Sequence, residues 1–455
     1  MVGTFRPRRW VNVALLGALA LGIVACGGKE YPNSTFNHTT EYNAAIDGLW
    51  DKLLLLGTIV FILTEAGLVY TIIRFRRRPG GGTPKQIHGN TPLEIAWTAI
   101  PAVILIFVAV PTVRTIFKTQ AKAAPDALQV EVIGHQWWWE FRYPQYGITT
   151  ANELYLPNGR TVNFSLKTAD VLHSFWIPQL GGKRDVISNK TNYVWFTPNA
   201  NTATAAWNGF CAEFCGASHA NMKFRTYTVQ PDEFASWVAH QKSTAAYPVA
   251  SAAPAVPGAQ PAVPPVPSGA GAAPMLQEAR QREQPQAKPS LSNQAPQTAP
   301  LPAPGAAAPI AAVPVWAFPR EKLPSHTIPA TPIPADLTFD DATLPNGDPA
   351  RGMQIYVRGG CIGCHAIAGN PMSVGNIGPN LTHIATRWTL AAGLYPNDAR
   401  HLARWIKNAP KMKPGSIMPT IGKGEYDPVR KAPVMMGKLT DAEIADIVAY
   451  LMALK

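Results

Sequence analysis

At 455 residues the chain is too long for one ordinary domain and suits two or three. Charged residues make up only 15% against 47% apolar, a balance that points to a chain partly facing lipid rather than a purely soluble one. The formal net charge of +12 could suit nucleic acid, but the positive residues form no lone tail or basic helix, so that partner is set aside.

The N-terminus reads as an export leader over residues 1–26. Arg6, Arg8 and Arg9 form its charged start, and the apolar stretch from Trp10 to Ala25 is short for a spanning helix. It ends Val24-Ala25-Cys26-Gly27, which resembles a bacterial lipoprotein cleavage box with Cys26 as the lipidated residue. A plain signal peptide is the alternative, and it gives Cys26 no role. One lipid chain anchors weakly and would only supplement spanning helices.

A transmembrane hairpin is expected over 40–118, with spans at 53–73 and 95–113. Arg74, Arg76, Arg77 and Arg78 follow the first span and place the 74–92 loop in the cytoplasm. Everything after about residue 118 then faces the periplasmic or outer side of a bacterial inner membrane. Pro101 and Pro111 interrupt the second span, as neighbouring helices permit. Glu65 and Glu94 are costly at membrane depth and imply packing against another membrane protein.

From 127 to 235 the pattern changes to short alternating runs, such as Leu128-Gln-Val-Glu-Val-Ile133 and Thr161-Val-Asn-Phe-Ser-Leu166, which predict an all-β sandwich or barrel. Residues 245–334 hold 21 of the 44 prolines and are expected to be a flexible tether that lets the next domain swing. The segment 340–455 regains helical pattern. Asp348-Pro349 opens a helix through Tyr356, and Thr440-Asp-Ala-Glu443 is a capping box before Ile444, Ile447, Val448 and Leu451.

Five cysteines are too few for a disulfide scaffold. Cys211-Ala-Glu-Phe-Cys215-Gly-Ala-Ser-His219-Ala-Asn-Met222 gathers two thiols, an imidazole and a thioether within twelve residues. Soft sulfur with imidazole suits copper or zinc, and the thioether tilts the choice to copper. Two cysteines four apart can bridge two metals; a local disulfide and a zinc knuckle are the alternatives. Further on, Cys361-Ile-Gly-Cys364-His365 is the c-type haem attachment pattern.

With Asp170-Val-Leu-His173 upstream, the whole pattern from about 40 to 235 resembles cytochrome c oxidase subunit II, whose copper A domain is a Greek-key cupredoxin. By that resemblance Cys211 and Cys215 bridge two coppers, with His173 and His219 as terminal ligands and Met222 and the Glu213 main-chain carbonyl as weak axial ligands. The Glu213 carboxylate would reach a magnesium or manganese ion at the subunit I interface. Gly134-His135-Gln136-Trp137-Trp138-Trp139 resembles the family's aromatic segment, in which Trp137 would receive electrons, although packing alone can account for Trp138 and Trp139. His88-Gly-Asn90 and Leu93-Glu94 resemble the start of the second span, whose glutamate lies near a proton-uptake channel. The chain departs from the family at Asp185-Val-Ile-Ser-Asn-Lys190, where an Ile-Pro-Gly-Arg continuation is usual, which puts the contacts of that arginine with subunit I in doubt.

The C-terminal segment resembles an all-α class I cytochrome c. Ile377-Gly378-Pro379-Asn380-Leu381 matches the loop whose proline carbonyl orients the haem histidine, and Lys413-Pro-Gly-Ser-Ile-Met418-Pro419 matches the methionine loop. Cys361, Cys364, His365 and Met418 would therefore hold haem c, with Met412, Met435, His383 and His401 as surface or packing residues. The resemblance implies electron flow from an upstream cytochrome c or bc-type complex through haem c and copper A to the oxygen-reducing, proton-pumping subunit I, with subunit III as a further partner. A free-standing membrane electron carrier, a quinol oxidase subunit II and a nitrous oxide reductase are the rivals. Glu65 and Glu94 count against the first, the intact Cys, His and Met set against the second, and the missing large catalytic domain against the third.

Overall fold

The computed structural model describes residues 39–77, 88–121, 123–245, 314–428 and 439–455, with parts of 17–36 and 79–86 and residues 431–433. Cys26 and almost all of the expected leader lie outside the described residues, as do Arg78, Met435 and the central part of the expected tether. Thr40 caps α1 (Glu41–Arg74) by accepting from the Asn43 N–H, and Asn90 caps α2 (Thr91–Gln120) by accepting from the Leu93 N–H. Both helices contain the expected spans and overrun them. Pro101 and Pro111 sit inside α2 without ending it. Large apolar side chains on both helices, among them Phe61, Leu63, Leu105 and Phe107, are exposed, as suits helices solvated by lipid or by a partner helix.

At 34 residues α1 is about 51 Å long, well beyond a hydrocarbon core of about 30 Å. The surplus reaches the next domain. Asn43 Nδ2 donates to the Pro178 carbonyl at 2.7 Å, and the Thr197 N–H donates to the Glu41 carboxylate at 3.2 Å. Buried Tyr42 stands edge-on to Trp195.

Ten strands make the expected sandwich: β1 (Leu128–His135), β2 (Trp138–Tyr143), β3 (Ile148–Ala151), β4 (Glu153–Pro157), β5 (Val162–Thr168), β6 (His173–Trp176), β7 (Arg184–Val186), β8 (Asn192–Phe196), β9 (Ala205–Cys211) and β10 (Lys223–Val229). One sheet runs β3-β2-β1-β5-β8 and the other β4-β10-β9-β6-β7. β1 pairs parallel with β5 and β4 parallel with β10; the remaining pairs are antiparallel. Alternate residues of β1 and β5 point inward, so Val130, Val132, Phe164 and Leu166 meet Phe141, Phe175 and Phe224 in the core. A helix absent from the sequence reading, α3 (Pro231–Lys242), carries this domain past residue 235. Its Trp237 stacks on Tyr155.

The tether is shorter than its composition suggested. Composition puts residues 314–334 in it, yet Phe318 is buried on Tyr227 and Trp316 packs against Tyr155. The Phe318 carbonyl accepts from Trp388 Nε1, and the Thr327 carbonyl accepts from Arg225 Nε. Proline content masked two aromatic anchors: two large rings bury enough apolar area to hold a chain that forms no regular element.

In the C-terminal domain α4 (Pro349–Arg358) is capped by Asp348 and runs two residues beyond Tyr356, while Thr440 and Glu443 form the expected capping box of the terminal helix, α6 (Asp441–Ala453). Between them α5 (Ala399–Lys407) is capped by Asp398. Ile444, Ile447, Val448 and Leu451 are all buried. α4 and α6 cross at Gly352, where an added Cβ would stand 1.9 Å from the Asp446 carbonyl oxygen. Arg351 also reaches over to the Asp446 carboxylate at 2.8 Å. Gly352→Ala is therefore expected to destabilise this domain by about 1–3 kcal/mol through overpacking. Thermal unfolding of the variant, followed by circular dichroism, checks this; an unchanged midpoint would mean the crossing has room for a methyl group.

Candidate metal and haem centres

The register of the second sheet sets Phe175 opposite Cys211, so the start of β6 and the end of β9 meet at one edge of the sandwich. The β9–β10 loop closes there through a hydrogen bond from the Cys211 N–H to the Met222 carbonyl. His173, Cys211 and Cys215 offer ligand atoms within 4.8 Å of one another, and all three are buried. The two sulfurs are 3.7 Å apart, His173 Nδ1 is 3.8 Å from Cys211 Sγ, and His219 Nδ1 is 3.6 Å from Cys215 Sγ. Met222 Sδ lies 3.8 Å from Cys215 Sγ, and the Glu213 carbonyl 3.3 Å from Cys211 Sγ. A disulfide needs about 2.05 Å, so the thiols are free and the disulfide alternative fails.

All six residues expected around copper thus share one small volume, and the soft set of two thiols, two imidazoles and a thioether fits copper. The two neighbouring sulfurs compete for protons. A hydrogen bond from Cys215, against burial, favours the Cys211 thiolate and pulls its pKa down to about 3, while the Cys211 sulfur and burial push Cys215 up. The Asp170 carboxylate, to which the sequence assigns no role, holds His173 Nε2 at 2.8 Å and accepts from the Gln136 N–H at 2.6 Å. Burial works against the charged carboxylate, but these bonds and one from the Val171 N–H hold it below the usual range. Gly134 leaves room for the ring: a Cβ there would lie 2.7 Å from His173.

Cys361, Cys364, His365 and Met418 line one cleft of the C-terminal domain, with Leu381, Leu402 and Leu451 among its apolar walls. The Pro379 carbonyl lies 2.7 Å from His365 Nδ1, and a Cβ on Gly378 would press on the same ring at 2.6 Å. Burial lowers the His365 pKa, which keeps the imidazole neutral and leaves Nε2 to face the cleft. Two free thiols, a neutral oriented imidazole and a thioether around an apolar slot fit haem c. His383 and His401 stay outside it: His383 Nε2 bonds to the Ser243 carbonyl, and His401 Nδ1 to Asp398. Met412 is buried in the domain core.

The cleft opens against the copper-binding domain, and Gln136, Trp137, Trp138, Ala151 and Asn152 complete its wall. Trp137 Nε1 and Gln136 Nε2 both donate to the Cys215 carbonyl, at 3.0 and 2.8 Å. Trp139 is core packing, fully buried, while Trp138 stacks on His135. Glu94 is exposed, and its carboxylate accepts from the Asn90 N–H as part of the α2 cap.

Comparison with known proteins agrees with this geometry. The profile of the cytochrome c oxidase subunit II transmembrane domain matches residues 36–115, that of the subunit's periplasmic domain residues 147–229, and that of cytochrome c residues 349–455. Cytochrome c oxidase subunit 2 of Bacillus subtilis is 36% identical over 253 residues, covering 52% of this chain and 69% of that relative. The chain belongs to the cytochrome c oxidase subunit II family. The subunit of Alkalihalophilus pseudofirmus is 27% identical over 410 residues, 89% of this chain and 90% of that relative. The periplasmic domain of the Bradyrhizobium japonicum subunit II is 31% identical and covers 26% of this chain and 97% of its own, with a TM-score of 0.25. Subunit II membership makes this a membrane-anchored, electron-accepting part of a cytochrome c oxidase; the subunit II domain implies copper A in the sandwich, and the cytochrome c domain implies haem c.

Residues that join the two domains carried no local signal in the sequence. Glu153, in the sandwich, accepts from the Trp388 and Thr389 N–H groups of the haem domain at 2.7 and 3.1 Å. Burial raises its pKa to about 7 despite Arg387 and those donors. His240 of α3 faces His383 with ring centroids 4.3 Å apart, both rings buried. Burial, and then His240 alongside, lower the His383 pKa to about 4.

A depressed imidazole pKa makes docking complete above the free value of about 6.5 and progressively weaker as pH falls toward 4, because only the released domain takes up the proton. Glu153 acts in the opposite sense, so the difference between wild type and His383→Gln isolates the histidine. Hydrogen exchange at the interface of the intact oxidase should rise less on acidification in the variant. Identical acid profiles would discard His383 as the responsible group.

Proposed function

We propose that this subunit takes electrons at its own haem c and hands them through Trp137 to a binuclear copper A centre, from which they pass to subunit I. Bound haem c and copper supply the one-electron redox chemistry; the chain's residues hold, orient and shield them. Cys361 and Cys364 would anchor the haem covalently, His365 and Met418 would ligate its iron, and the methionine would raise its potential as a respiratory donor requires. Cys211 and Cys215 would bridge two coppers, with His173, His219, Met222 and the Glu213 carbonyl completing the set. Two adjacent thiolates would let metals held there share one electron, and the packed sandwich holds their side chains in place.

The observation that carries this reading is the closure of the haem cleft by the tryptophan that is hydrogen-bonded to the Cys215 carbonyl. Tying the haem domain to its acceptor turns a bimolecular encounter into an intramolecular one. Around this route stand further assignments. The Glu213 carboxylate would bind magnesium or manganese at subunit I, Glu94 would lie by a proton-uptake path, and Cys26 would carry lipid. Subunit III and an upstream cytochrome c or bc-type donor complete the partners. The intact copper donor set favours a cytochrome c oxidase over a quinol oxidase subunit.

Purifying the oxidase from membranes and recording metal content with optical and EPR spectra tests this. Two coppers attributable to this subunit and a methionine-ligated low-spin haem c are expected. One copper, or zinc in its place, would sink the assignment. Met418→His should keep haem attachment and lower its potential, checked by redox titration. Cys215→Ser should abolish the mixed-valence copper signal while the haem spectrum stays intact.

A further inference from the structure

The loop that carries Met418 does more than close the haem cleft. Lys413 lies five residues before it, only 4% exposed, and its Nζ donates to the main-chain carbonyl of Trp137 at 2.6 Å and to that of Ala391 at 3.0 Å. One bond is to the copper-binding domain and the other to the haem domain. Next to it the Pro414 carbonyl accepts from Ser218 Oγ, in the copper-binding loop itself. Gly415 then lies flat on the indole: a Cβ there would stand 2.5 Å from two ring carbons of Trp137. Trp137 is thus held at its carbonyl by Lys413, on its ring by Gly415 and at Nε1 by the Cys215 carbonyl.

A buried ammonium is expensive unless it is paired. No carboxylate offsets Lys413 among the described residues, and burial, opposed only by the Cys215 sulfur, lowers its pKa to about 7. Its two carbonyl bonds, one to each domain, are the pairing that the residue has in this fold.

We propose that Lys413 is a positioning residue for electron transfer: it fixes the backbone of Trp137 so that docking of the haem domain and alignment of the indole are one event. The inference rests on the route through Trp137 proposed above and adds the element that makes the route depend on the docked domain. Electronic coupling falls steeply with distance, so a displaced indole slows the transfer.

The test uses the intact oxidase carrying Lys413→Met, with Lys413→Gln as a milder variant that keeps one donor. Rapid mixing with reductant follows electron passage from haem c to the copper pair. The expected result is a several-fold lower rate in Lys413→Met and an intermediate one in Lys413→Gln. Haem potential, the methionine–iron absorbance, copper EPR and the KM for the donor should not change. Hydrogen exchange over residues 134–138 should quicken in both variants at rest. An unchanged rate in either variant with intact spectra overturns the proposal, and so does a slowed rate that tracks loss of the methionine–iron band, which marks a folding role. If wild type itself passes no electron from haem c to copper, it is the underlying route that fails.

Discussion

One peptide carbonyl, that of Cys215, organises the rest of the functional architecture. Its residue holds one of the two sulfurs of the proposed copper site, and its oxygen accepts two hydrogen bonds from the Gln136–Trp137 segment of the other sheet. The β9–β10 loop must close over the Cys211 and Met222 main chain before that carbonyl points outward. Once it does, the cluster and the tryptophan cannot move independently. Preorganisation of this kind limits the rearrangement that accompanies gain or loss of an electron, and the packed aromatic core of Trp139, Phe175 and Phe224 stands directly behind it.

Much of the site was legible because its chemistry is written in local strings. Cys211 to Met222 lies in one loop, and so does Cys361 to His365; soft donors at such spacing have few other uses. His173 and Met418 had to be brought from elsewhere, and the β6–β9 register does that for His173. The helix caps at Asp348 and Thr440 were equally local, which is why the helices begin where the sequence placed them.

What the sequence hid was contact across domains. Glu153 with Trp388, Arg225 with Thr327 and Gly393, and His240 with His383 are pairs separated by more than a hundred residues, and nothing in either partner's neighbourhood announces the other. Composition actively misled at 314–334, where prolines suggested a free tether and two aromatic rings decided otherwise. The same contacts change the picture of the haem domain from a swinging carrier to a seated one. Its cleft is completed by residues of the sandwich, so the seat is part of the cleft wall and not only a resting place.

The long first helix has a consequence of its own. Because its opening turn is bonded into the sandwich at Pro178 and Thr197, it acts as a rigid stanchion that sets the height and heading of the copper loop above the bilayer. Each residue of a helix contributes about 1.5 Å of rise and 100° of rotation. The length of the segment between Glu41 and the membrane therefore works as a ruler: one residue more or fewer would turn the sandwich by about 100° relative to the bilayer-embedded part of the same helix.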